Sequence, residues 1–113
     1  MTPIAHLVTR EVAQAALIAH AEGRLTAQSN HKVCRYVDGD CNCAVGAGMP
    51  PHLIRYLINN ARNWMNVLAL ARDHIIEVDD VAGLRSLQQS HDAWCGDHAR
   101  EARFLETARR LAA

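Results

Sequence analysis

The stretch KVCRYVDGDCNCAVGAG, residues 32–48, gathers three of the chain's four cysteines around Asp38-Gly39. Asp-Gly between short β-prone runs is a strong local signal for a two-residue hairpin turn. That turn pairs Val37 with Asp40, Tyr36 with Cys41, Arg35 with Asn42 and Cys34 with Cys43. Strand side chains alternate, so Cys34, Tyr36, Cys41 and Cys43 share one face. A lone hairpin is marginal in water, so helices must cover that face.

The rest of the chain supplies helices. Half of its 113 residues are apolar, but only Tyr36, Tyr56, Trp64, Trp94 and Phe104 are aromatic. Alanine and leucine therefore build the core, a composition suited to packed helices in one domain. Thr2 and Pro3 read as a helix start, with Ile4, Leu7, Val8, Val12, Ala15, Ala16 and Ala19 in phase and Gly23 as the stop. This predicts a helix over 3–22, followed by the hairpin over 32–45. Pro51 suits a first helical turn, and the stripe Ile54, Leu57, Ile58, Ala61, Trp64, Met65, Leu68, Ala71 and Ile75 follows. Asparagines at 59, 60, 63 and 66 weaken its middle and divide it into helices over 51–60 and 63–74. The segment IIEVDD reads as a connection whose Asp79 caps a helix over 80–94. Gly96 marks a break before a last helix over 97–112. Both tryptophans sit in or beside apolar stripes and are expected in the core. The predicted fold is mostly α, with four or five helices packed around one small β-hairpin.

Twelve basic residues balance twelve acidic ones. Nucleic-acid binding draws on a basic excess or stripe, and neither is present. Every basic residue but Lys32 is arginine. Arginine's planar fork suits protein interfaces, although a G- and C-rich genome gives the same bias. Arg35, Tyr56, Arg100 and Arg103 are the candidate anchors of a partner-binding surface. The chain opens without the apolar run of a secretory leader and has no span suited to a bilayer. The expected setting is cytoplasmic, with reduced thiols and no membrane.

Three roles remain for the cysteines. Zinc takes thiolate and imidazole ligands, and Cys34, Cys41, Cys43, His91 and Cys95 are the candidates. The hairpin spacing lacks the usual C-x2-C knuckle, and a chain of this length folds without metal. Packing as small buried hydrophobes is therefore placed ahead of zinc, and no cofactor is required. A nucleophilic Cys43 or Cys95 is the third role, although no oriented base or oxyanion hole is legible.

The run Cys41, Cys43, Ala44, Val45, Gly46, Ala47 resembles a pattern in small proteins of unknown function from phages, prophages and plasmids. The resemblance spans this run and the preceding hairpin, and implies a mobile-element origin. In size and in lacking catalytic motifs the chain is also similar to anti-CRISPR proteins. That likeness implies a non-enzymatic protein that binds and inhibits a host defence complex.

Overall fold

A computed structural model describes residues 2–28, 36–38 and 41–113, without the side chain of residue 38. The protein is mostly helical. Strand β1 (Ala5–Leu7) leads into α1 (Thr9–Ala21), and a 3-10 turn spans Thr26–Gln28. Two short strands follow, β2 (Val37–Asp38) and β3 (Cys41–Asn42), then a 3-10 turn at Gly46–Gly48. Next come α2 (Pro51–Asn59), α3 (Val67–Arg72), β4 (Ile76–Val78) and α4 (Val81–Gly96). A 3-10 turn at His98–Arg100 leads into α5 (Glu101–Ala112).

Helices α1, α4 and α5 pack together, with α3 against α4. On α1 the inward stripe is Val12, Ala13, Ala16 and Ala19, and these small residues let the backbone of α5 come close. Helix α4 contributes Leu84, Leu87, His91 and Trp94, and α5 contributes Phe104 and Ala108. Residues three, four and seven apart lie on one side of a helix, which is the spacing these stripes keep.

The beginning of the chain departs from the expected helix over 3–22. Ala5, His6 and Leu7 form a strand that pairs in parallel with Ile76, Glu77 and Val78. The local pattern fits both readings, but Ala5 and Leu7 are buried while His6 and Val8 are exposed, an alternation of period two. The segment expected to be a connection, IIEVDD, supplies the partner strand. The fold therefore has a second small sheet that was not expected, and the sheet on which the chain's first strand rests is parallel.

Strands β2 and β3 do form an antiparallel ladder, but in another register. Val37 pairs with Asn42, and Asp38 with Cys41, so the ladder slips by two residues from the expected pairing. A slip of two preserves which face each side chain occupies. Asn42 fixes it: its backbone N–H donates to the Arg24 carbonyl at 2.9 Å, and its Nδ2 to the Tyr36 carbonyl at 3.1 Å. The expected pairs involving Cys34, Arg35 and Asp40 fall on residues outside those described.

The helix caps differ as well. Thr2 does not start α1, and Val8 at its N-cap offers no side-chain bond. The acceptor comes from far along the chain. Asp79 Oδ1 lies 2.9 Å from the Thr9 backbone N and 2.9 Å from its hydroxyl. Asp80, rather than Asp79, caps α4, accepting from the Gly83 N–H at 2.9 Å. Asn66 caps α3 by accepting from the Ala69 N–H, so α3 begins later than residue 63. Helix α4 ends at Gly96, where a break was expected, and after the 3-10 turn α5 starts at Glu101 instead of 97.

Hydrogen bonds from the Thr9 N–H, then from its hydroxyl, hold the Asp79 carboxyl below the usual carboxylate range. Its folded pKa is thus lower than its unfolded one. The stability it adds is present above about pH 4 and is lost as pH falls through the folded value. Asp79→Asn is expected to lower the melting temperature at neutral pH and to flatten its decline in acid. Parallel acid melting curves for the two proteins would contradict this role.

Candidate functional site

The sequence candidates separate into three places. Cys43 lies in the core, only 3% exposed, beneath the turn at Gly46–Gly48. Its sulfur accepts the Gly46 N–H at 3.3 Å. Burial pushes its thiol up to about 12, and the backbone N–H bonds only partly offset that. A thiol so placed stays protonated at neutral pH and packs as a small hydrophobe, so it does not suit the nucleophile role. Tyr36 lies beside it, with its hydroxyl donating to the Met65 carbonyl and accepting from Gln88 Nε2 at 3.3 Å. Cys41 is half-buried on β3. Cys34 is outside the described residues.

His91 and Cys95 are brought together by α4. Four residues apart is one helical turn, so both side chains leave the same side. The Cys95 sulfur is 3.8 Å from His91 Nδ1 and 3.9 Å from Nε2. Thr26, from the turn after α1, places its hydroxyl 3.3 Å from Nε2 and 4.0 Å from the sulfur. The His91 ring is wholly buried, edge-on to Trp94 and Phe104. Burial opposes its charge, yet the Asp92 carboxylate and the Cys95 sulfur together hold its pKa above the ordinary imidazole value. The last turn of α4 bears about half a negative charge, which opposes a thiolate at Cys95. The i, i+4 spacing was legible in the sequence; Thr26, 65 residues from His91, carried no signal.

Among the described residues, no three His, Cys, Asp or Glu side chains converge to hold a metal ion. The described members of the zinc set, Cys41, Cys43, His91 and Cys95, do not gather as ligands around one point.

The third place is a surface. Trp64, expected in the core, is 74% exposed. Ala61 at φ +54° reverses the chain after α2, and α3 does not start until Val67, so Trp64 follows no helical phase. Its indole N–H donates to the Ala61 carbonyl at 2.7 Å, which pins the ring. With Ile58, Ala61 and Asn63 it lines a hollow of about 270 Å³. Arg62 Nη1, bonded to Asp73 at 3.0 Å, ties the loop to the end of α3. The run of asparagines around Trp64 was the sequence signal for this loop.

Of the expected partner anchors, Arg35 lies outside the described residues. Tyr56 is half-buried against the core from α2. Arg100 and Arg103 are exposed near the start of α5, with Arg100 Nε 3.5 Å from Asp97. They stand on different elements from Tyr56. Compared with protein-family models, curated proteins and solved structures, the chain matches none. No helix among the described residues is long and apolar enough to cross a membrane.

Proposed function

We propose that the chain is a non-enzymatic protein-binding module that docks through Trp64 and Ile58. The observation that carries this reading is a tryptophan 74% exposed yet held by its own N–H bond. An aromatic already fixed in place loses little freedom on binding, so its burial is returned as affinity. Ile58, half exposed beside the hollow, extends the apolar area. Arg55 lies one turn before it on α2 and is exposed, so the complementary partner presents an apolar side chain flanked by acidic ones. The mobile-element resemblance makes a host defence complex the class of partner, with inhibition by occupancy as the mechanism.

The test is an anti-defence assay in bacteria, with Trp64→Ala beside the unaltered protein. The substitution should weaken binding by about 2 kcal/mol or more, roughly thirtyfold in Kd. Removing an exposed side chain should leave stability within about 0.5 kcal/mol. The unaltered protein should suppress phage immunity and the variant should not. Equal suppression by both would show that this face is not the anchor. No suppression by either would dispose of the anti-defence role.

A further inference from the structure

Strand β1 has a second edge. Its ladder to β4 runs through Ala5 and Leu7, since the Leu7 carbonyl accepts the Asp79 N–H at 3.4 Å. Backbone groups of successive strand residues point to opposite edges, so the N–H and C=O of His6 turn away from β4. Val8, still extended at φ −100° and ψ 115°, turns its N–H the same way. Among the described residues these three groups have no hydrogen-bond partner. The edge is closed at both ends. His52 Nε2 lies 3.0 Å from the Ile4 carbonyl oxygen, and the Val8 carbonyl accepts the Val12 N–H of α1. Beside the window from His6 to Val8 runs a groove of about 360 Å³, walled by Val12, Ala15, Met49 and Pro50. A second hollow of about 230 Å³ lies on the side toward Glu77 and Asp79. Val8, an apolar side chain 42% exposed, lines both. Natural sheets blunt a free edge with lysine or proline, and residues 5–8 carry neither.

We propose that this edge takes up an extended, basic segment of a partner protein as a third strand. Main-chain bonds to His6 and Val8 supply the pairing, and alternate apolar side chains of the segment enter the groove. Charge fixes the partner's chemistry. Glu11 lines the groove, and Glu77 and Asp79 line the second hollow. Among the described residues, no lysine or arginine lines either. His6, with Nδ1 3.6 Å from Glu77, offsets at most one of the three carboxylates. The chain as a whole is neutral, so the acidity is local to this edge and selects lysine or arginine on the incoming strand. A second copy of the chain does not supply them. Strand β1 carries neither residue, and pairing two copies edge to edge would set like charges against each other. Neither hollow includes Trp64 or Ile58, so this surface is separate from the one at Trp64.

The probe is a short blocked peptide of alternating valine and lysine, added to the intact protein and followed by NMR shifts and amide hydrogen exchange. A second peptide has glutamate in place of lysine, and a third is methylated on its backbone nitrogens, which removes its donors. The lysine peptide should bind saturably and slow exchange of the His6 and Val8 amides. The other two should bind at least about tenfold more weakly. His6→Pro removes the outward N–H and keeps the ladder through Ala5 and Leu7, as proline does on sheet edges. It should weaken binding about tenfold, whereas His6→Ala, which keeps that N–H, should bind at least as well. Should His6→Pro not fold, the methylated peptide tests the same main-chain pairing from the other strand. The proposal is overturned if the glutamate or methylated peptide binds as well as the lysine peptide, or if none binds. A folded His6→Pro protein of unchanged affinity would overturn it too. So would protection of the two amides in the peptide-free protein at rising concentration, which would make a second copy the occupant.

Discussion

Gly46→Ala is expected to destabilise the protein by about 3 kcal/mol or more, toward the upper end of what overpacking costs. A methyl at Gly46 would stand 1.9 Å from the Tyr36 carbonyl oxygen, 2.6 Å from its carbon and 2.8 Å from its Cα. All three are backbone atoms, so no rotamer change relieves the clash. Either the turn at Gly46–Gly48 or the segment at Tyr36 must move. The first motion breaks the Gly46 N–H bond to the Cys43 sulfur. The second pulls the Tyr36 hydroxyl from Met65 and Gln88. Either leaves buried polar groups without partners, at about 1–3 kcal/mol each. Gly96 is the control, since a methyl there meets nothing within 4 Å. It is helical, and Gly96→Ala should be neutral or stabilising by up to about 1 kcal/mol. Urea midpoints of the two variants should move in opposite directions or differ widely. Equal midpoints would show that the Tyr36 approach is not what requires glycine.

Leu84→Ala is the second large effect, at about 2–5 kcal/mol. Leu84 is wholly buried on α4, with Leu87 beside it and Gly83 before it packed near Leu111 of α5. The loss combines the side chain's own burial with the cavity left among helices that cannot collapse around it. Domains of this kind are stable by only about 5–15 kcal/mol, so one such cavity is a large share of the total. Arg85→Ala, one residue along and exposed, should change little. A Leu84→Ala protein melting with the parent would mean that another side of α4 faces the core.

Helices α4 and α5 were legible because their stripes repeat over several turns. Leu84, Leu87, His91 and Trp94 are all buried, as are Phe104 and Ala108. Strand β1 was not legible. A three-residue strand shows its period barely once, and the residues that decide it, Ile76–Val78, lie 71 positions away in register. The cap of α1 failed for the same reason: Thr2 was a local candidate, whereas the acceptor Asp79 is 70 residues distant. The Asp-Gly signal located the antiparallel pairing of β2 with β3 but not its register, which Asn42 fixes through Arg24 and Tyr36. At the candidate sites, His91 and Cys95 were found by spacing. Trp64 was misplaced because an apolar stripe was carried through a loop that Ala61 had already turned.

The bond between Thr9 and Asp79, together with the parallel pairing beside it, ties together parts of the chain some 70 residues apart. As the chain leaves the ribosome, Ala5–Leu7 emerges before its partner strand and has no strand to pair with until Ile76–Val78 has followed. Closing so long a loop is entropically slow, whereas α4 and α5 are neighbours in sequence and can meet at once. The seam between the first strand and the fourth, like the packing of α1 on α5, is thus a long-range closure that follows the local ones. Until it closes, Ala5 and Leu7 wait in water as an unpaired strand, the species most exposed to mispairing with another chain.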